Sequence, residues 1–187
     1  MGPRLSGYSG VHVEDLTAVE LRSRQLAAGH LEVYRSSAPG FANAFLMLGA
    51  PQIGVRHSRR LNGIRKVTRQ QWDGHVWDDE IGVSTSLSPK FANISVPYGA
   101  LIPAQLDNIL GAGRHIACDA SSHTFLREIP QCWLTGQAAG VAAALAAKQC
   151  RRPRDLPVSL IQRELLRQGA YLSPATTTAL QPASAAK

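Results

Sequence analysis

Gly111, Ala112, Gly113 and Arg114 stand together in the segment running from Asp107 to Lys148, and two glycines beside an arginine suit the binding of a phosphate-bearing ligand. Glycine lets the backbone turn tightly and approach a ligand with no Cβ in the way. The arginine fork then matches oxyanion oxygens in plane. Downstream, Pro130 occupies a position where a helix begins, since its missing N–H would be unpaired there anyway. That helix is expected to run to about Lys148. Its first turn, from Ile129 and Pro130 on, would aim the free backbone N–H groups and the positive dipole end at whatever lies beyond Arg127. Thr135, Gly136 and Gln137 follow as further candidate ligand contacts, although Gly136 and Gly140 read more readily as packing residues that let the helix lie close to a sheet, and Thr135 and Gln137 can be turned either way. Arg127 and Glu128 form either an ordinary helix-start ion pair or, through Arg127, a group that orients an anionic substrate. His123, with Asp119, Ser121 and Ser122 in a polar loop, is an exposed loop residue or a proton donor and acceptor near neutral pH.

The elements that must position these residues are read from pattern. Ile109 and Leu110 begin a buried strand that stops at Gly111-Ala112-Gly113. Thr17 and Glu20 make a capping-box pattern for a helix that carries Val19, Leu26 and Leu31 toward a core and ends near Tyr34. Gly40 to Leu48 predicts a short second helix. Gln52 to Leu61 predicts a strand, Asn62-Gly63 a hairpin turn, and Ile64 to Val67 the returning strand. Alternation on that first strand would place Arg56 and Arg60 on one face and Arg59 on the other, as a carboxylate clamp or a solvated basic edge. Pro89 to Pro103 is extended and leads into the strand at Ile109. Ser159 and Gln162 start a helix closed by Gly169, and the tail from Ser173 is rich in Ala, Thr and Pro, a composition that predicts disorder.

The run GAGRHIA followed by REIPQCWLTGQAAGVAAALA resembles the closing signature of FAD-dependent oxidoreductases related to the fumarate reductase-type flavoproteins. Glu14-Asp15-Leu16-Thr17, Pro39-Gly40-Phe41, the segment from Ala50 to Gly63 and VPYGALIP from Val96 to Pro103 are similar to that family in the same order, so the resemblance spans roughly Val11 to Tyr171. It implies FAD as cofactor, held by Gly111, Ala112, Gly113, Arg114, Ile129, Pro130, Thr135, Gly136 and Gln137. It implies hydride transfer between a small-molecule substrate and the flavin; beside such a flavin, the positions of His123 and Arg127 make them the candidate catalytic residues, with Arg56, Arg59 and Tyr98 on the substrate. The chain departs from the pattern where Ala120 and Ser121 replace a His-Glu pair and Gly99 replaces an arginine. It also holds no G-x-G-x-x-G turn for the ADP half of FAD. The expectation is therefore the C-terminal part of such an enzyme, whether a fragment, a truncated gene product or one subunit of a split enzyme with a separate N-terminal flavoprotein half, or else a noncatalytic remnant that binds no FAD alone. In fold terms this is an α/β chain, an incomplete Rossmann-like FAD-binding portion over 104–172 with a mixed α+β substrate-side segment over 11–103, a flexible 1–10 and a disordered 173–187.

Composition bounds the remaining classes. The 187 residues carry a net charge of +7, but the basic residues are scattered and no groove-reading motif accompanies them, which argues against a nucleic-acid partner. Cys118, Cys132 and Cys150 are too widely spaced for a C-x-x-C pair and odd in number, so neither a disulfide framework nor a metal site is expected. A reduced, cytoplasmic setting fits. The alanine-rich helix carries Gln131, Thr135 and Gln137, which favours a buried soluble helix over a membrane span.

Overall fold

The computed structural model describes residues 4–72, 74–84 and 93–181, which form two compact units, Met1–Ser58 and Arg59–Lys187. Good helix formers dominate residues 13–37, and they make α1, Val13–Ser37. It starts a turn before the capping-box pattern, so Thr17 lies inside the helix and its Oγ1 donates to Val13 O at 2.8 Å. The start is marked instead by Glu14 and Asp15, acids that suit the dipole, with Asp15 Oδ2 accepting from Ser9 N. Val19, Leu26 and Leu31 do share the less exposed face, yet no residue of α1 is buried. Residues 40–48 form turns rather than a helix, closed by Phe41 N to Ala38 O and Ala44 N to Phe41 O. Pro39-Gly40 breaks the pattern before a helical turn can accumulate. Polar bonds tie this strap to α1: Arg35 Nε to Ala44 O at 2.7 Å, and Ile53 N to Glu20 Oε2 at 2.8 Å. That N–H, with Arg24, holds the Glu20 carboxyl below its usual range. Met47 and Leu48 stand 84% and 86% exposed.

The second unit is built on two short strands, β1 (Glu80–Ser84) and β2 (Ile94–Pro97), paired antiparallel with Gly82 opposite Val96 and Ser84 opposite Ile94. Against β1 lies the long helix α3, Ile129–Gln149, which begins with Pro130 as expected. Its buried face is Gln131, Thr135, Ala138, Ala142 and Ala146, a spacing of three to four residues with small side chains that lets the helix lie close. The helix α4, Val158–Arg167, packs on α3 and β1 through Ile161 and Leu165, and Gly169 follows its end. Ile81, Ile94, Val96 and Leu101 complete the centre of the core.

Several expected elements take another form. There is no hairpin at Asn62-Gly63, because the flanks bond elsewhere: Leu61 N to His115 O, Ile64 N to Ile102 O, Ala104 N to Asn62 O and Val67 N to Ala117 O. Neither Asn62 nor Gly63 has the positive φ that a two-residue hairpin turn needs. No strand spans 52–61 either. Ile109-Leu110 is not a buried strand; Ile109 is about half exposed, and the segment's tie to the core is Gly111 N to Leu101 O at 2.8 Å, one bond where a strand needs a ladder. The polar loop expected around His123 is a helix, α2, Ala120–Leu126, with Asp119 as its N-cap accepting from Ser122 N at 2.7 Å. Ser173 caps another helix, α5, Pro174–Leu180, where disorder was expected; a serine followed by proline is a helix-start signal that outweighs the composition. Residues 182–187 and 89–92 lie outside the described residues, and of the extended segment 89–103 the strand covers Ile94–Pro97, followed by a 3-10 turn over Tyr98–Leu101. No helix among the described residues is long and apolar enough to cross a membrane.

Gly63 is where two backbones meet. A Cβ there would lie 2.7 Å from Ala117 Cβ, 2.9 Å from Arg65 O and 3.0 Å from Gly99 O, with no flexible side chain to yield. Gly63→Ala is therefore expected to destabilise the chain by about 1–3 kcal/mol in urea unfolding, the usual scale for overpacking. Asn62→Ala, at an exposed position with ordinary backbone, should change stability by less than about 0.5 kcal/mol. Equal losses at both positions would restore the hairpin reading.

Candidate functional site

Gly113 takes φ +90°, a left-handed conformation that glycine adopts without strain, and its N–H donates to Thr135 Oγ1 at 2.9 Å. Thr135 is fully buried on the second turn of α3 and passes its own proton to Gln131 O at 2.9 Å. One hydroxyl therefore clamps the glycine turn to the helix. Arg114, next in the chain, is exposed, and its carbonyl accepts from His123 Nε2 at 3.0 Å; because a carbonyl only accepts, that nitrogen carries the proton. His123 lies on α2 and is 4% exposed. Cys132 Sγ contacts Arg127 O at 3.5 Å. Burial pushes the Cys132 thiol up, Arg114 acts against the push and Glu128 adds to it, so both charges lie near this thiol.

The structure thus brings together Gly113, Arg114, His123, Thr135 and the start of α3. Gly111 belongs to the same loop, and a Cβ on it would meet His115 and Leu61. Ala112 is half-buried between the two glycines, and Ile129 and Pro130 are exposed at the mouth of α3. Glu128 precedes them as N-cap without a side-chain capping bond, so the first amides of the helix are left for another acceptor. Arg127 ends α2 and pairs with Glu128 at 3.1 Å, the ordinary ion pair.

Other predicted residues lie apart from this cluster. Gly136 and Gly140 face open space on the outer side of α3 and pack on no sheet. Gln137, beside them, bonds Gln168 at 3.1 Å. Tyr98 is 2% exposed in the core, its hydroxyl donates to Pro153 O at 3.0 Å, and burial raises its titration. Arg56 lies in the first unit and Arg59 in the second, both exposed. A shallow groove of about 240 Å³ between Pro130, Trp133, Leu134, Ile81, Val83 and Tyr171 runs along a face of α3 that does not carry Thr135.

Pattern reading missed Gln131. It is 5% exposed, its Nε2 donates to Ser84 Oγ at 3.0 Å, and its Oε1 is buried with no donor among the described residues. The signal was a polar residue in the first turn of a helix whose inward face is otherwise small and apolar. Asp119 was placed in a loop, but both its oxygens work: Oδ1 accepts from Ser122 N, and Oδ2 from Arg69 N at 2.9 Å. Trp72 Nε1 donates to Ser122 Oγ at 2.9 Å, which ties α2 to the residues before β1.

A family model described as FAD dependent oxidoreductase matches residues 4–165. The chain belongs to that family. FAD is accordingly its cofactor, and the matched span contains every residue of the glycine turn and of the first turns of α3. No curated protein and no solved structure matches the chain.

Thr135→Val would leave the partly buried Gly113 N–H without its acceptor, a loss of about 0.5–1.5 kcal/mol on the usual scale for one hydrogen bond. Thr135→Ser keeps the hydroxyl and should recover most of it in the same chemical melts. Asp119 generates a pH dependence. Burial pushes its carboxyl up, but the Ser122 and Arg69 N–H bonds outweigh that and hold it below the usual range. A carboxylate depressed on folding stabilises above its unfolded pKa and loses the effect as pH falls through the folded one. The stability gap between wild type and Asp119→Asn should therefore be constant near neutrality and shrink below about pH 4. A gap that widens toward acid would contradict this.

Proposed function

We propose that this chain is the part of a flavin-dependent oxidoreductase that holds the flavin end of FAD and transfers hydride between it and an anionic small molecule. The observation that carries the reading is the Gly113–Thr135 bond, which fixes the Gly111-Ala112-Gly113 turn and an exposed arginine to one helix. The residues present suit the cofactor. Arg114 and the first amides of α3 are donors for an electron-rich edge, and the buried Gln131 Oε1 is an acceptor that lacks a donor. Bound FAD supplies the hydride chemistry itself, and the protein supplies orientation and charge.

In this reading His123 is a positioning residue that holds the Arg114 backbone from the α2 side. Arg127, at the junction of α2 and α3, orients the anionic end of the substrate with Glu128 as its resting partner. Arg59 is a further candidate for that anion, and Tyr98 shapes the core behind the 3-10 turn over Tyr98–Leu101. The 187 residues contain no G-x-G-x-x-G, so we assign the grip on the ADP half to a flavoprotein half that carries that motif.

An absorbance titration tests this. The purified chain alone is expected to retain little FAD, and addition of a G-x-G-x-x-G half should produce a stoichiometric flavin spectrum. In the completed protein Arg114→Ala should weaken FAD binding about tenfold or more, the scale of one charge-assisted contact. Arg127→Ala should leave the flavin bound and slow its reduction about 10²-fold. Wild-type behaviour of both variants would place the site elsewhere.

A further inference from the structure

Gly111 and Gly113 are glycines for different reasons. Gly113 has φ +90°, which glycine takes without strain, whereas Gly111 has no positive φ and its backbone makes no such demand. What its missing Cβ leaves room for is a ring. A Cβ there would lie 3.0 Å from His115 Nε2, 3.4 Å from His115 Cδ2 and 3.3 Å from Leu61 Cδ2, so the imidazole lies directly against the bare glycine.

The backbone that carries this ring is fixed. Ile116 N bonds Gly113 O at 3.4 Å, which makes Arg114 and His115 the two central residues of a tight turn. On one side Gly113 N is held by Thr135, and on the other Ile116 is 1% exposed in the core. His115 O accepts from Leu61 N at 2.7 Å. Both residues at the tip of the turn are exposed, and among the described residues the His115 ring makes no hydrogen bond and no ion pair. Neither ring nitrogen is therefore committed to a protein partner. His123 offers the contrast: it is 4% exposed, and its Nε2 proton is engaged by Arg114 O. Of the other histidines, His12, His30 and His57 belong to the first unit, and His75 stacks edge-on against Trp77 with ring centroids 4.6 Å apart.

We propose that His115 is the proton-exchanging residue of the flavin site. This rests on the function proposed above, which sets the electron-rich edge of the flavin at Arg114 and the start of α3. The hydride, with its electron pair, passes between substrate and flavin. The accompanying proton passes between substrate and a ring nitrogen of His115, which exchanges it with water. Imidazole suits that task because its ordinary titration falls near neutrality. The groups packed on the ring, Gly111 and Leu61, are uncharged, and the charged residues flanking them are Arg114 on the same turn and Arg60 before Leu61.

The test begins with the full chain alone. Diethylpyrocarbonate followed by peptide mapping should modify His115 readily and His123 only on unfolding. In the protein completed by the G-x-G-x-x-G half, bound FAD should protect His115 from the reagent. Reduction makes the flavin more negative, and an imidazole in contact with it gains a proton in response. The midpoint potential of the bound flavin, followed between about pH 5 and 8, should therefore show one break more in wild type than in His115→Gln. His30→Gln, an exposed change on α1, should keep that break. Gly111→Ala retains the imidazole but crowds it; since only the ends of flexible side chains stand in the way, it should unfold in urea as wild type does and move the break to another pH. The inference fails if His115 resists the reagent in the full chain, if bound FAD leaves it unprotected, or if His115→Gln keeps the break. A completed protein that binds no flavin overturns the proposed function and this inference with it, whereas bound flavin with any of those three outcomes removes His115 alone.

Discussion

Two adjacent carboxylates, Asp79 and Glu80, go inside the second unit, and buried acids persist only where donors or a cation meet them. The partners come from distant parts of the chain. Asp79 accepts from Gly99 N and from Arg65, each at 2.8 Å, while Glu80 accepts from Ser95 Oγ and Ser173 N, each at 2.6 Å. Burial still raises the Asp79 carboxyl, against the pull of Gly99 N–H and Arg65. Gln162 adds its amide to the carbonyls of Asp78 and Glu80, which fixes α4 on the same strand. A two-stranded sheet is marginal by itself. Here the need to satisfy two acids recruits the 3-10 turn, the second strand and the start of α5, and the backbone carbonyls beside them recruit α4. With β1 fixed, α3 has a surface to lie on, Thr135 has a place, and Gly113 has an acceptor.

How much of this was legible follows the kind of signal. The helix from Pro130 was readable from its start residue and the one before Gly169 from its stop residue, because such signals act locally. Ser159 and Gln162, read as the start of the latter, lie inside it and do not cap it, and β2 falls within a segment read only as extended. The hairpin at Asn62-Gly63 was not, since a turn dipeptide states only a local preference and each flank found a better backbone partner far along the chain. The segment at Ile109 failed for the converse reason: apolar residues before glycine look like a strand, but with one bond to Leu101 no ladder forms. Two helices were overlooked where a capping residue, Asp119 or Ser173, outweighed a polar or low-complexity composition.

At the candidate site, the spacing of Gly113, Arg114 and the helix start was visible, and so was Thr135. Its role as a clamp was not, because the bond to Gly113 spans 22 residues and depends on how α3 is rotated. The same rotation turns Gly136 and Gln137 outward. Sequence shows that small residues share a stretch, whereas only packing decides which of them look inward. The orphan atom of Gln131 is legible only in three dimensions, as unmet demand rather than as motif.

The first unit has a different character. Its one helix among the described residues, α1, is 25 residues long and buries none of them, and its strap is held by bonds at or near the surface. Such a helix depends on intrinsic propensity and length, as an isolated peptide does, and little hydrophobic free energy is lost when it opens. The two units therefore define two tiers of protection. Amide protons along α1 exchange through frequent local opening while those of α3 wait for rarer, larger openings of the second unit, and a protease meets Met1–Ser58 as substrate well before it meets the core.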